Sequence, residues 1–244
     1  MSATEEEINK LRELIASHDR IVFFGGAGVS TESGIPDFRS AKGIYNEKYH
    51  NLSPETIISH EFFMKEPELF YEFYKEKMLF LDKDPNPCHA YLAKLEEEGK
   101  LDSVVTQNID GLHQKAGSRK VFELHGSVHR NHCMKCHKFF SSEYVANSKT
   151  VIPYCDECGG IIKPDVVLYN EGLDDRTVDG AINALYHADL LIIAGTSLAV
   201  YPAASFIRFY QGNDLVYIDI NESDNDRIAT LAIHEKVGVL FSKL

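Results

Sequence analysis

The sequence contains no apolar run long enough to cross a bilayer, since a spanning helix needs about 20 apolar residues. Its longest apolar runs are Ile21–Phe24 and Leu190–Ala194. The first ten residues, MSATEEEINK, are acidic, whereas a signal peptide begins with positive charge and continues with an apolar stretch. We therefore expect a cytoplasmic protein that has no membrane partner.

Positive charge is scarce as well. The chain has 25 Lys and Arg against 37 Asp and Glu, and its formal net charge is -12. An acidic surface repels phosphate backbones, so a nucleic-acid partner is disfavoured, while basic protein segments are attracted. Internal repeats and low-complexity linkers are also missing, and 244 residues can form one large domain with a smaller satellite. We expect a monomer with these two parts.

Cysteine is limited to five residues, and four of them form two close pairs. Cys133 and Cys136 make the first CxxC, and Cys155 and Cys158 make the second after a spacer of 18 residues, while Cys88 stands alone. In a reducing compartment such pairs are typical of metal ligands rather than of disulfides. The spacing predicts one zinc ion, and four thiolate ligands leave no open coordination position, so the zinc would be structural.

The paired cysteines leave other interpretations open: a redox pair, unpaired core cysteines or the zinc ribbon of a nucleic-acid-binding protein. The spacer carries Lys138 and Lys149 but also Glu143, so it lacks the basic stripe of such a ribbon. Nearby histidines are spare candidate ligands, but four thiolates already satisfy the ion. We expect these histidines to be exposed polar residues; they are His129, His132 and His137.

Short apolar runs alternate with helical patterns along the chain. Thr4 and Glu7 have the spacing of a capping box that begins a first helix. The runs of strand length are Ile21–Phe24, Leu101–Thr106, Leu190–Ala194 and Leu215–Ile218. This alternation predicts an α/β fold with a doubly wound, Rossmann-like parallel sheet.

Three loops follow these runs, and ligands of doubly wound sheets bind at the carboxyl ends of the strands. Gly26–Thr31 suits close backbone approach to a pyrophosphate, although Thr31 replaces the third glycine of the ordinary dinucleotide fingerprint. Gln107–His113 places polar side chains after a buried strand, where they need partners or a ligand. Gly195–Ser197 offers small residues and hydroxyls to a phosphate or a ribose.

Two single residues are ambiguous on the pattern alone. His125 stands beside Gly126 and can be a catalytic base or an ordinary polar residue. Asp219 ends the last predicted strand and can accept ribose hydroxyls, or cap a helix or turn.

Two stretches interrupt the alternation of strands and helices. Residues 41–80 are rich in Phe and Tyr at helical spacing, and residues 128–164 carry the paired cysteines. We expect these stretches, a helical insertion and a zinc ribbon, to form the smaller domain. The large, nucleotide-binding domain would then comprise residues 1–40, 81–127 and 165–244.

Six features in order resemble the successive motifs of the sirtuin family. They are GAGVSTESGIPDFRS at 26–40, TQNIDGLH at 106–113, ELHGSVH at 123–129, the two CxxC pairs, KPDVVLYNEGL at 163–173 and GTSLAVYPAA at 195–204. The resemblance covers most of residues 20–240 and is greatest to a bacterial branch. It implies NAD-dependent deacetylation of acetyl-lysine in protein or peptide segments, which gives nicotinamide, 2′-O-acetyl-ADP-ribose and free lysine.

The resemblance also implies roles for single residues. His125 would be the general base, and Asn108 and Asp110 would orient the ribose and the nicotinamide amide of NAD. Val167 and Tyr169 would border the acyl-lysine on a strand that pairs with the substrate peptide. The further NAD-binding positions would be Gly26, Ala27, Gly28, Thr31, Ile35, Phe38, Arg39, Gln107, Ile109, Gly195, Thr196, Ser197, Lys236 and Val237.

The chain departs from the family pattern at two places. Asp219 stands where the family has Asn, and Asn221 is a competing assignment for the contact with the adenosine ribose. Tyr169-Asn170-Glu171 stands where the family has Phe-Gly-Glu, and the Tyr ring should keep the wall apolar.

The acyl preference follows from another part of the resemblance. Sirtuins that remove acidic acyl groups resemble one another in a Tyr-x-x-Arg pair on the helical insertion. The matching stretch here reads Phe70-Tyr71-Glu72-Phe73-Tyr74, with Tyr74 in the place of the Arg. We expect Phe73 and Tyr74 to line an apolar tunnel for a neutral acyl chain.

Three rival functions remain at this level. A mono-ADP-ribosyltransferase would cleave NAD in the same way but transfer to another acceptor. A non-catalytic NAD- or ADP-ribose-binding module with a zinc ribbon would not need Asn108, Asp110 and His125 together. An ordinary NAD dehydrogenase is disfavoured because the third glycine of its fingerprint is missing.

Overall fold

The computed structural model describes residues 2–38, 43–46 and 48–244. Arg39 lies outside the described residues, and so does the predicted boundary between residues 40 and 41. The helices are α1 (Glu5–Ser17), α2 (Pro54–Ile57), α3 (His60–Lys65), α4 (Pro67–Lys77), α5 (Pro87–Glu97), α6 (Leu112–Ala116), α7 (Ser142–Ala146), α8 (Asp175–His187) and α9 (Val237–Phe241). The strands are β1 (Ile21–Gly25), β2 (Leu101–Thr106), β3 (Val121–Glu123), β4 (Gly126–Cys133), β5 (Phe139–Phe140), β6 (Ile162–Val166), β7 (Leu190–Ala194), β8 (Asp214–Ile218) and β9 (Leu231–Ile233). No helix in the described parts of the chain could span a membrane.

The larger sheet is parallel and has the strand order β3-β2-β1-β7-β8-β9. From β1 the chain adds β2 and β3 on one side, and from β7 it adds β8 and β9 on the other side. The direction of strand addition therefore reverses between β1 and β7. Gly25 at the end of β1 pairs with Ala194 at the end of β7. The loops after β1 and β7 therefore emerge side by side at the switch point, where doubly wound sheets bind ligands. The predicted doubly wound fold is confirmed.

Helices cover both faces of this sheet, which is why β1 and β7 are apolar and buried along their whole length. The first helix, α1, forms as its sequence predicts. The Thr4 hydroxyl accepts from the Glu7 N–H at 3.2 Å, and the Glu7 carboxylate accepts from the Thr4 N–H at 2.7 Å. The four apolar residues of its inner face are buried; they are Ile8, Leu11, Leu14 and Ile15.

The second sheet is antiparallel, with the order β5-β4-β6. Aromatic side chains of the helical stretch α2–α4 pack against it in one core. The core includes Phe63, Phe70, Tyr71, Phe73, Tyr74, Val128, Phe140, Ile162 and Val166. The helical insertion and the cysteine-bearing segment thus share their interior beside the parallel sheet. The domain boundaries themselves stay a prediction.

Two buried histidines, one on α5 and one on α6, pack against each other. The ring centroids of His89 on α5 and His113 on α6 lie 4.7 Å apart. Burial lowers the pKa of His89 to about 4 and holds the pKa of His113 well below its usual value. Within the described residues, neither ring nitrogen of His113 has a hydrogen-bond partner. Both rings are therefore neutral near pH 7.

We expect acid to destabilise the fold through this pair. The unfolded chain protonates both histidines near pH 6.5 and the folded protein does not, so the free energy of unfolding should fall by roughly 1.4 kcal/mol per pH unit for each ring. This stability is present above the unfolded pKa and is lost as the pH falls through the folded pKa values. Chemical denaturation between about pH 7 and pH 4.5 measures the slope.

His113→Leu should reduce that slope, whereas replacement of the exposed His50 by Asn should leave it unchanged. Equal slopes for the wild type and His113→Leu would show that the buried pair does not set the acid stability.

Candidate active site

The loops after β1 and β7 touch each other through glycines. The Gly28 N–H donates to the Gly195 carbonyl at 2.9 Å, and Gly195 has a φ of +61°. A Cβ at Gly28 would lie 2.7 Å from the Gly195 Cα, and a Cβ at Gly26 would lie 2.6 Å from the Thr196 Cβ. Glycine is required here for the contact between the loops. The two loops expected to bind the pyrophosphate and ribose are thereby held at one edge of the sheet.

A hydrogen-bonded cluster joins the first loop to the loop after β2. The Ser30 hydroxyl donates to the Asp110 Oδ2 at 2.7 Å, and the Asn108 Nδ2 donates to the Ser30 Oγ at 3.1 Å. The other carboxylate oxygen of Asp110 accepts from the Leu112 N–H at 2.9 Å. Ser30 and Asn108 are buried. Asn108 and Asp110 were predicted from the sequence but Ser30 was not, because its only signal is a hydroxyl inside the glycine-rich motif.

His125 lies between β3 and β4 with a fixed ring orientation. Its Nδ1 lies 3.0 Å from the Gln107 carbonyl oxygen, which can only accept, so Nδ1 carries the hydrogen. The Nε2 atom is then the unprotonated nitrogen. Burial lowers the pKa of His125, and the hydrogen bond to the Gln107 carbonyl partly offsets that effect. The ring is therefore a neutral base near pH 7.

Gln107 presents a donor that lacks a partner. Its Oε1 accepts from the Thr196 hydroxyl at 3.0 Å, while its buried Nε2 has no hydrogen-bond partner among the residues that the structure describes. A buried amide N–H without a partner is costly, so a ligand oxygen at this position would stabilise it. Gln107 lines the same cavity as His125. The residues present therefore fit a hydroxyl- and phosphate-bearing ligand such as NAD.

Two cavities meet at the candidate site, and Phe38, Met78 and Ile109 border both. The first cavity is lined by Ala27, Ser30, Ile35, Pro36, Phe38, Ile44, Lys77, Met78, Phe80, Asn108, Ile109, Asp110 and Val128. The second cavity has a volume of about 170 Å³ and includes Gln107, His125, Val167 and Tyr169 in its lining. The predicted catalytic residues are thus brought together on the two sides of Phe38 and Ile109.

The segment after β6 carries the two residues expected at the acyl-lysine. The Val167 N–H donates to the His125 carbonyl at 2.9 Å, so this segment is bonded directly to His125. Tyr169 forms a parallel bridge with Ser59, and its hydroxyl lies 3.0 Å from the Tyr45 hydroxyl. Asn170 adopts a φ of +70°, a conformation suited to Gly or Asn. The departure from the family's Phe-Gly-Glu thus preserves the local turn.

Residues expected at the adenosine end lie on neighbouring loops. The Gly195 N–H donates to the Ile218 carbonyl at 2.9 Å, which places the loop after β7 beside the end of β8. Asp219 is half-buried, and burial raises the pKa of its carboxyl. Asn221 is exposed and donates its N–H to the Asp219 Oδ1 at 3.0 Å. The two competing candidates are therefore adjacent, and Asp219 is the one withdrawn from solvent.

The start of α9 lies beside the first loop. The Glu32 carboxylate accepts a hydrogen bond from the Gly238 N–H. Lys236, expected at the adenine edge, is exposed, whereas Val237 is buried in the core of the large sheet. The Val237 side chain therefore contributes to packing.

The expectation for Phe73 and Tyr74 is wrong. Both are buried in the core that α4 shares with the antiparallel sheet, and neither lines the two cavities described above. Positions 70, 73 and 74 have the spacing of one helix face, and this face packs inward. Lys77, one turn further along, lines the first cavity, while the Lys75 ammonium donates to the Ser148 hydroxyl at 2.8 Å.

The four paired cysteines converge as predicted. Their Sγ atoms all lie within 4.8 Å of one another, with Cys133 to Cys158 at 3.4 Å and Cys136 to Cys155 at 3.6 Å. Tetrahedral coordination with Zn–S bonds of about 2.3 Å places sulfur atoms roughly 3.8 Å apart, so this geometry fits one zinc ion. Cys88 is buried away from the cluster, in the core of the large sheet.

The comparisons with known proteins agree with the geometry. The sequence model of the Sir2 family matches residues 26–202. The NAD-dependent protein deacetylase of Clostridium acetobutylicum is 56% identical over 235 residues, which cover 96% of each chain. The NAD-dependent protein deacetylase of Clostridium perfringens is 55% identical over 242 residues, which cover 98% of this chain and 99% of that protein.

Solved structures show the same architecture. A structure of Sir2 with a p53 peptide and NAD+ has a TM-score of 0.85 and 37% identity, and the match covers 97% of this chain and 96% of that chain. A structure of Sir2 bound to an acetylated peptide has a TM-score of 0.83 and 36% identity, with the same coverage. Since the family model spans most of the chain and the relatives match it along nearly its whole length, the chain belongs to the Sir2, or sirtuin, family.

Proposed function

We propose that this protein is an NAD-dependent protein-lysine deacetylase, and that its products are nicotinamide, 2′-O-acetyl-ADP-ribose and free lysine. Both clostridial relatives are named NAD-dependent protein deacetylases. The observation that carries the proposal is the setting of His125. Its Nδ1 is engaged by the Gln107 carbonyl, and its ring lines a cavity together with Phe38 and Ile109.

His125 is the general base in this proposal. The Gln107 carbonyl fixes the hydrogen on Nδ1, so Nε2 is free to accept a proton from a ribose hydroxyl. The lowered pKa of the ring keeps this nitrogen unprotonated at neutral pH. A base that is already neutral and held in one orientation needs no rearrangement before the proton moves.

Asn108 and Asp110 orient the nicotinamide amide and its ribose from the first cavity. Bound NAD supplies the ADP-ribose unit that receives the acetyl group. Ser30 holds the Asp110 carboxylate at 2.7 Å, so the acceptor oxygens of the site keep one geometry. Phe38 and Ile109 stand between the two cavities and would exclude water from the reacting carbon.

The remainder of the NAD molecule would lie along the edge where the loops after β1, β2, β7 and β8 meet. The unpartnered Nε2 of Gln107 and the glycine contact between the loops after β1 and β7 support this placement. Positions assigned to the phosphates and riboses are Gly26, Ala27, Gly28, Thr31, Arg39, Gly195, Thr196, Ser197 and either Asp219 or Asn221. Ile35, a further NAD-binding position in this proposal, lines the first cavity. Lys236 and Val237 are assigned to the adenine edge.

The acetyl-lysine would enter the second cavity between Val167 and Tyr169. The walls there are largely apolar, and the Val167 backbone is bonded to His125, so the substrate segment and the base are positioned together. The net charge of -12 favours basic, lysine-rich segments as partners. The same proposal includes a monomeric, cytoplasmic protein that has no nucleic-acid partner.

Mass spectrometry of one acetylated peptide tests the function. The peptide should lose its acetyl group when incubated with the protein and NAD, and should stay intact without NAD. A peptide that instead gains ADP-ribose would identify a mono-ADP-ribosyltransferase, and a peptide unchanged in both mixtures would favour a non-catalytic NAD-binding module.

His125→Ala should lose most deacetylation while it keeps the fold. A positioned general base contributes roughly 10²- to 10⁴-fold, so kcat should fall by at least about 100-fold with NAD binding nearly unchanged. Steady-state kinetics and calorimetric NAD binding measure the two effects. His187→Ala, an exposed histidine on α8, is the matched control and should retain full turnover. Full turnover in His125→Ala would show that His125 is not the general base.

One zinc ion per chain should be held by the four cysteines, and Cys133→Ala should lose it. A closed thiolate site contributes directly to folding, so the unfolding temperature should fall with the metal. Elemental analysis measures the zinc content. Cys88→Ala should retain zinc because Cys88 lies in the other core. Native protein without zinc, or full retention after loss of Cys133, would contradict the assignment.

The enzyme should prefer a neutral acyl chain to a succinyl chain. The described residues that line the second cavity include no Lys or Arg, and they do include Glu171. A buried succinyl carboxylate would lack a charge partner, which costs several kcal/mol, so kcat/KM should be at least roughly tenfold lower than for acetyl-lysine. Both acyl forms of one peptide should be compared. Equal efficiency that is lost in Lys77→Met would show that the Lys77 ammonium reaches the acyl chain.

A further inference from the structure

The loop that carries Asn108 and Asp110 is bonded to the segment that runs from His125 into β4. Each of three carbonyl groups in the loop accepts one hydrogen bond from this segment. The pairs are Gln107 with His125 Nδ1, Ile109 with Val128 N, and Asp110 with His129 Nε2, each at 3.0 Å. The first pair holds the base and the second is a backbone contact. The third uses a side chain that the proposed reaction does not otherwise need.

His129 fits closely into this position although part of its surface is exposed. Gly111 follows Asp110 with a φ of +71°, and a Cβ there would lie 2.5 Å from the His129 Cδ2. The other ring nitrogen, Nδ1, lies 3.2 Å from the hydroxyl of Ser142, a buried residue at the start of α7. The loop therefore comes close to the ring on one side, while the helix between the two cysteine pairs holds it on the other.

The protonation of the ring is compatible with both contacts. The Asp110 carbonyl can only accept, so Nε2 must carry a hydrogen. The Ser142 hydroxyl can donate to Nδ1 or accept from it. Both the neutral ring and the imidazolium therefore keep the bond to the loop.

The hydrogen bond from His129 fixes the backbone carbonyl of Asp110, while other groups hold its side chain. The carboxylate is held by the Ser30 hydroxyl and the Leu112 N–H, and the carbonyl is held by His129. The residue is thus constrained at both ends. His129 is exposed, as predicted from the sequence, but both of its ring nitrogens are engaged.

We infer that His129 is a positioning residue, which connects the zinc-bearing segment to the catalytic loop and so sets the orientation of Asp110. The inference rests on the proposed function, because it assigns an effect on the nicotinamide end of the reaction. Ser142 belongs to α7, which lies between the two CxxC pairs, so the His129 ring links Asp110 to the cysteine-bearing segment.

The decisive experiment compares His129→Leu with His129→Gln in the full-length, zinc-loaded protein. Leu removes the donor, whereas the Gln side-chain amide can still donate to the Asp110 carbonyl. His129→Leu should lower kcat and weaken inhibition by nicotinamide, each by roughly three- to tenfold, with KM for the acetylated peptide unchanged. His129→Gln should recover most of both. Zinc content and the unfolding midpoint should match the wild type, and His187→Leu should change nothing.

A double-mutant cycle adds a second readout. Ser142→Ala should have a smaller effect of the same kind, and Ser142→Ala should add nothing further to His129→Leu, because both act through one ring. The inference would be overturned if His129→Leu kept the kcat and the nicotinamide inhibition of the wild type. It would also be overturned if the variant lost activity only because it lost zinc. Absence of NAD-dependent activity in the wild type would instead overturn the proposed function, and the inference with it.

Discussion

The hydrogen bonds between the Gln107–Asp110 loop and the His125–His129 segment hold the candidate site together. The loop leaves the parallel sheet, and the segment runs into the antiparallel sheet, so these bonds join the two parts of the molecule at the place where chemistry would occur. They fix the His125 ring and the backbone of the loop that carries Asn108 and Asp110.

The second constraint is the glycine contact at the switch point. It brings the loop after β1 against the loop after β7, and no side chain would fit between them. The Ser30 side chain, which belongs to this first loop, donates a hydrogen bond to Asp110 in the loop after β2. The glycine contact and the carbonyl contacts are therefore parts of one connected network. Burial lowers the pKa of His125, so the ring is uncharged at neutral pH.

Much of the fold and of the site could be predicted from sequence because the signals were local. The capping box of α1, the buried strands and the paired cysteines each depend on residues close in the chain, whereas the role of His125 stays a prediction from the family resemblance. Contacts across long separations could not be predicted: Ser30 and Asp110 lie 80 positions apart, and the two nitrogens of His129 bond to two different elements. Phe73 and Tyr74 lie in the core, as their helical spacing indicates, and not in the tunnel that the family motif implied.

The proposed function requires that the acetyl group move from lysine to the ADP-ribose unit of NAD. A peptide that carries an isotope-labelled acetyl group allows nicotinamide, acetyl-ADP-ribose and deacetylated peptide to be measured in one reaction. We expect equal amounts of the three products, with the label on ADP-ribose. Label released as free acetate, or ADP-ribose found on the peptide, would show that this transfer does not take place.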